Sequence, residues 1–237
     1  MSVIRTVPVL SEQIYQAVLD EICDGELSPG AHLVQEQLAE RFGVSRQPIQ
    51  QAMALLKADG LIIEADKRGL HVAPIDLSMT RYHYEIRSAL DVLAAGLAAE
   101  RVAADPRLAK SAQQRGEVYL KKGNTARKKN AVREQIRHDE EFHHLIYELS
   151  GNPLLGRTAE IHWRYLRRVM GEVLRQESAP ESVWEQHKGI LDCILKGDDA
   201  GARTLAQTHI AEAAKMLMEA RGTEADGQSL PTSAPVG

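Results

Sequence analysis

The sequence predicts a mainly α-helical protein in which three short helices and a β-hairpin are followed by an antiparallel bundle of about six helices. Hydrophobic residues make up 43% of the 237 residues but aromatic residues only 4%, which favours helices packed through aliphatic side chains. Apolar residues recur at helical spacing through most of the chain, and β-prone runs are confined to residues 61–73. We expect one domain over residues 1–75, a second over 76–222 and a disordered tail over 223–237.

Turn residues delimit the first three helices. Gly43 is expected to close the second helix, and Ser45 is placed to cap the third. Pro48 falls in the first turn of that third helix, where a missing backbone N–H costs nothing. The expected helices span residues 11–25, 35–42 and 45–60.

A β-hairpin is predicted after the third helix. The β-prone runs 61–64 and 70–73 flank the basic, glycine-bearing segment 65–69. Three helices followed by such a hairpin form a winged helix-turn-helix, an arrangement that presents its third helix to a DNA groove.

The rest of the chain reads as long amphipathic helices without strands. Breaker residues divide it at five places, which predicts six helices. The predicted breaks lie at residues 104–106, 122–124, 151–153, 178–180 and 197–198.

Charge and composition restrict the possible partners. The formal net charge is −4, and residues 1–75 carry six Lys and Arg against ten Asp and Glu, so any nucleic-acid contact must be local. No apolar stretch approaches a membrane span, and Cys23 and Cys193 are too few and too far apart for a disulfide framework. We therefore expect a cytoplasmic protein without a membrane partner.

Short motifs occur at fixed spacing over residues 14–72. They comprise Gly-Glu-Leu-Ser-Pro-Gly at 25–30, Leu-Ala at 38–39, Gly-Val-Ser-Arg-Gln-Pro at 43–48, Gly-Leu at 60–61 and Arg-Gly at 68–69. Together these motifs resemble the DNA-binding domain of the GntR family of bacterial transcription regulators. The resemblance implies a double-stranded DNA operator as partner. It also implies a homodimer, because two heads read two half-sites.

The third helix carries the residues expected to read DNA. Arg46 stands at its N-terminal end, where an arginine fork can bond guanine O6 and N7 together. The family usually has Arg-Glu where this chain has Gln50-Gln51, which predicts weaker DNA binding and a shifted operator preference. The full set of expected DNA-binding residues is Arg46, Gln47, Gln50, Gln51, Gln37, Arg68 and Gly69.

A metal-ligand pattern occurs in the second domain. Asp139 and His143 are four residues apart, so they project from one helical face and can meet a single ion, although this pair alone is weak evidence. With His187 and His209, the segment from about 80 to 221 resembles the all-helical FCD effector-binding domain of FadR-type GntR regulators. The resemblance implies that these four residues bind a divalent cation.

Three imidazoles and one carboxylate suit a divalent transition metal, with zinc or nickel expected. Coordination positions left open would admit a small carboxylate effector, and Arg87 offers that carboxylate a bidentate partner. Asp91, where the family more often has Glu, is placed either to orient Arg87 or to face solvent.

Three functions remain open at this point. A ligand-responsive transcription regulator, acting as a repressor, fits both halves of the chain. A metal-dependent hydrolase fused to a DNA-binding module would use the same ligands, but the sequence has no nucleophile elbow, no phosphate-binding loop and no HExxH motif. In a purely helical scaffold the histidines would be incidental.

Overall fold

The structure, a computed structural model, describes residues 10–64, 69–176 and 180–227, and the side chains of these residues up to 220. Its elements are α1 (Leu10–Asp24), β1 (His32–Leu33), α2 (Gln35–Phe42), α3 (Arg46–Ala58), β2 (Ile62–Glu64), β3 (Leu70–Val72), α4 (Leu77–Ala104), α5 (Pro106–Lys128), α6 (Val132–Ser150), α7 (Pro153–Gln176), α8 (Ser182–Lys196) and α9 (Asp199–Gly227). The mainly α fold class, with a winged helix-turn-helix before a helical bundle, is confirmed.

The first domain packs α1, α2 and α3 around one apolar core that includes Val18, Leu19, Ile49 and Leu56. Gly43 ends α2 in the left-handed region at φ +65°, a conformation that costs glycine little. Ser45 occupies the N-cap position of α3 with an extended backbone, but within the described residues its side chain makes no capping hydrogen bond.

The wing has one strand more than the sequence predicts. The antiparallel sheet has the order β1-β3-β2, with His71 paired to His32 on one side and to Ile63 on the other. β1 is two residues long, too short for an alternating pattern to be recognised in the sequence. Residues 65–68, including Arg68, lie outside the described residues.

One of the five predicted breaks is wrong, and the break at 178–180 lies mostly outside the described residues. α5 continues through 122–124 to Lys128, and the turn to α6 comes at residues 129–131. Gly123 is buried inside α5, where a Cβ would lie 1.9 Å from the ring of Trp184. This glycine therefore makes room for a side chain of α8 and does not end a helix.

The last helix continues to Gly227, whereas the sequence predicts its end near residue 222. The rest of the tail that we expect to be disordered, residues 228–237, lies outside the described residues. Within the described part of the chain, no helix is both long enough and apolar enough to span a bilayer.

Candidate nucleic-acid interface and metal centre

Five of the expected DNA-reading residues are exposed on α2 and α3. Gln47, Gln50 and Gln51 lie on exposed positions of α3, and Gln37 is exposed on α2. Arg46 is the first residue of α3, with 68% of its side chain exposed. The N-terminal end of this helix is therefore free to enter a major groove.

Arg46 is paired across the helix-turn-helix. Its guanidinium donates to a carboxylate oxygen of Glu36 on α2, whose side chain is 73% exposed. Exposed ion pairs contribute only about 0–1 kcal/mol. Exchanging Glu36 for a guanine edge therefore costs little.

The base of the wing depends on Gly69. This residue is exposed with φ +92°, and a Cβ there would lie 2.7 Å from Nε2 of His32. His32 in turn stacks on His71, with ring centroids 4.8 Å apart. Gly69 thus allows β3 to pass close to β1, a role that the sequence motif does not reveal.

Three acidic side chains of the first domain pair with arginines of the second domain. Asp20 on α1 accepts from Arg167 at 2.9 Å, and Asp59 accepts from Arg164 at 3.3 Å, both arginines lying on α7. Asp24 pairs with Arg133 of α6 at 3.1 Å. These carboxylates are neutralised at the domain junction, so they oppose DNA less than the charge count suggests.

The four predicted metal ligands converge in the core of the second domain. Asp139 and His143 project from α6, His187 from α8 and His209 from α9, and all four are buried. Each offers one ligand atom, and these atoms lie within 4.8 Å of one another. His187 Nε2 lies 3.2 Å from Asp139 Oδ1 and 3.0 Å from His209 Nε2.

Hydrogen bonding leaves His209 in the form that binds metals. Gln186 donates its amide N–H to Glu212, so its carbonyl oxygen is free to accept from His209 Nδ1 at 2.9 Å. With the proton on Nδ1, the lone pair of Nε2 points into the cluster. The sequence shows Gln186 only as a neighbour of His187, because its contact with His209 spans 23 residues.

Electrostatics also fit a bound cation. Burial, reinforced by neighbouring imidazoles, lowers the pKa of His209, and burial lowers the pKa of His187, so both rings are neutral. Burial alone would raise the pKa of Asp139, but the hydrogen bond from His187 and the nearby guanidinium of Arg87 hold that pKa well below its usual range. A buried carboxylate beside imidazole nitrogens suits a divalent transition metal.

Arg87 lies beside this cluster and is only 1% exposed. Its Nε donates to Asp91 at 3.0 Å, its guanidinium carbon lies 3.7 Å above the ring centre of Trp163, and its Nη2 is 3.9 Å from Asp139. Asp91 is 2% exposed and also lies 3.4 Å from His143 Nδ1. Of the two roles open to Asp91, the structure therefore places it against Arg87 and not in solvent.

A cavity of about 40 Å³ opens next to the cluster. Arg87, Asp139 and His209 form its polar end, and Met170, Leu174, Val183, Trp184, Met216 and Leu217 contribute apolar wall. Arg87 Nη2 has no hydrogen-bond partner among the described residues. The guanidinium therefore keeps a donor available to a ligand.

A second group of possible ligands, Glu140, His144 and Glu160, is only half-buried. Glu140 lies 3.6 Å from Arg167, and Glu160 lies 3.3 Å from Arg164. Arginine pairing accounts for both carboxylates, so this group needs no metal.

Family models match both domains. The model described as "Bacterial regulatory proteins, gntR family" matches residues 10–72, and the FCD domain model matches residues 83–212.

Known proteins match almost the whole chain. The HTH-type transcriptional repressor RspR of Escherichia coli K12 is 28% identical over 222 residues, covering 93% of this chain and 94% of RspR. The HTH-type transcriptional regulator YdfH of Escherichia coli O6:H1 is 27% identical over 220 residues, covering 92% of this chain and 93% of YdfH. The structure of E. coli McbR/YncC shares the fold, with a TM-score of 0.75 and 22% identity over 90% of this chain and 99% of that protein.

Proposed function

This chain belongs to the gntR family of bacterial regulatory proteins, with an FCD domain as its second half, and we propose that this transcription regulator is a homodimeric, metal-containing repressor released by a small carboxylate. The observation that carries the proposal is the convergence of Asp139, His143, His187 and His209 in a buried core beside Arg87. The matched families are those of regulators and not of enzymes, so the hydrolase alternative gains no support.

Zinc or nickel is the cation we propose, held by Asp139 and the three imidazoles. When bound, the metal supplies a Lewis-acidic position that attracts the effector's carboxylate. Arg87 holds the same carboxylate through Nη2, and Asp91 fixes the guanidinium by accepting from Nε. Together these groups place the effector at the polar end of the cavity.

Coupling to DNA runs through α7, in addition to the covalent link at residues 74–76. Met170 and Leu174 of α7 line the cavity, and Arg167 and Arg175 of the same helix hold α1. A ligand that displaces the cavity wall therefore biases the position of the DNA-binding domain.

The dimer is proposed to form along α4. Met79, Tyr82, Ile86 and Leu93 are large apolar residues that are at least 40% exposed and share one face of that helix. A second copy covering this stripe would hold two DNA-binding domains at the spacing of two half-sites.

Light scattering tests this surface. The Ile86→Asp variant should be a monomer, whereas the same change at exposed Val118 of α5 should leave the dimer intact. A dimeric Ile86→Asp variant would refute the proposed dimer surface.

Operator binding tests the reading role of Arg46. One bidentate arginine–guanine contact is worth about 1–3 kcal/mol, so Arg46→Ala should weaken operator binding at least about fivefold in gel-shift titrations. Arg107→Ala removes a charge of the second domain that is even more exposed than Arg46, and it should leave affinity unchanged. Equal affinity for Arg46→Ala and wild type would eliminate the reading role.

Metal analysis tests the centre. His187→Ala and His209→Ala should each lose stoichiometric metal by elemental analysis, while His162→Ala, which removes a half-buried imidazole on α7, should retain it. Metal retained by both of the first two variants would remove the proposed site.

A further inference from the structure

We infer that the effector is a short monocarboxylate with an apolar body, and neither a dicarboxylate nor a polyhydroxylated acid. This inference rests on the sensor role proposed above and specifies what that sensor accepts. It follows from the single cationic side chain among the described residues that line the cavity and from the chemistry of the cavity wall.

The polar end of the cavity already contains a buried carboxylate. Asp139 is 6% exposed, and its carboxylate lies 3.9 Å from Nη2 of Arg87, the group that would receive the ligand. A dicarboxylate would bring a second anionic group into this buried site, where an uncompensated charge is strongly unfavourable.

The cavity offers no place for a second anionic group. Of the described side chains that line it, Arg87 is the only one with a positive charge, and it lies at the end occupied by Asp139 and His209. A second carboxylate would therefore face Leu174 and Met216 without a counter-charge.

The apolar wall selects against hydroxyl groups. Gln135 Oε1 is buried and has no hydrogen-bond partner within the described part of the chain, so it can accept from one donor on the ligand. Further hydroxyls would be buried against Leu217, Val183 and the two methionines, where they would lose their bonds to water. A chain of methylene groups loses nothing there and instead gains from burial.

The small volume limits the length of the acid. About 40 Å³ holds a carboxylate and little more, but Met170 and Met216 are unbranched side chains that can repack around a few additional carbons. Affinity should therefore rise about fourfold for each methylene, from acetate upward, until the cavity is filled.

Calorimetric titration of the metal-loaded protein with three five-carbon acids tests the inference. Pentanoate should bind at least tenfold more tightly than glutarate, which adds a second carboxylate, and than arabinonate, which adds hydroxyls. Equal or tighter binding of glutarate or arabinonate would overturn the inference and leave the carboxylate sensor standing. If none of the acids binds while the metal stays bound, the sensor role fails as well.

A pair of variants tests the wall itself. Met216→Gln places an amide in the cavity and should weaken pentanoate at least tenfold but acetate less than twofold. Met218→Gln, on the same helix but outside the lining, should change neither affinity. Metal content and helicity, measured for both variants, separate a local effect from unfolding; unchanged pentanoate affinity in folded, metal-loaded Met216→Gln would contradict the apolar wall.

Discussion

A single methyl group added at Gly171 should weaken the contact between the two domains. Gly171 is buried in the middle of α7, and a Cβ there would lie 2.2 Å from the backbone oxygen of Cys23 on α1. Ordinary contact begins near 3.4 Å, so α1 must recede by about 1.2 Å. That shift stretches the hydrogen bond from Arg175 to the same oxygen, now 2.9 Å, beyond its normal range.

Two opposing effects set the magnitude for Gly171→Ala. Alanine is more favourable than glycine inside a helix by about 1 kcal/mol. Overpacking against a buried backbone group costs about 3 kcal/mol, the upper end of the usual range, because a carbonyl cannot change rotamer. The net loss of about 2 kcal/mol corresponds to a fall in Tm of about 4–8 °C for a chain of this size.

Gly156→Ala is the matched control on the same helix. The described atom nearest to its Cβ is 3.8 Å away, so this variant should be as stable as wild type or up to about 1 kcal/mol more stable. Calorimetric unfolding measures Tm, and hydrogen exchange of α1 amides reports the docking of the first domain. Our interpretation of the junction fails if Gly171→Ala matches Gly156→Ala in both measurements.

Three further outcomes are expected. Gly123→Ala should be destabilised by about 1–2 kcal/mol in urea unfolding and should bind metal more weakly, because the added methyl group displaces Trp184, which contacts His187. A variant as stable as wild type would contradict this expectation. Burial lowers the pKa of His83 from 6.5 to about 4, so below pH 6.5 the unfolded chain binds a proton that the folded chain does not, and stability falls as the pH drops from 6.5 to 4. The variant His83→Asn should therefore lose less stability than wild type between pH 7 and pH 5, and an equal loss would exclude His83 as the cause. Glu36→Gln removes the ion pair with Arg46 and should tighten operator binding up to about fivefold at low salt, as measured by fluorescence anisotropy, with a smaller gain at high salt. No gain in affinity at low salt would mean that the ion pair does not restrain Arg46.

Local patterns were sufficient for much of the fold. Helix limits at Gly43, Gly151 and Gly197 follow from glycine's access to the left-handed region, a property of the residue itself. The break predicted at Gly123 was wrong because a glycine that ends a helix and a glycine that makes room for a neighbouring ring are identical in sequence. Likewise β1 has too few residues to show a period, and only its pairing with β3 defines it.

The candidate site was also predictable from the sequence only in part. The sequence by itself determined the residue types and their helical faces, since Asp139 and His143 share a face through the four-residue spacing alone, and the position of Arg46 follows from the turn before it. Only the tertiary structure decided that α8 and α9 bring His187 and His209 to that face, that Gln186 orients His209, and that α7 contacts both the cavity and α1. Those contacts join residues far apart in the chain, and their geometry is set by how whole helices pack, which no local pattern encodes.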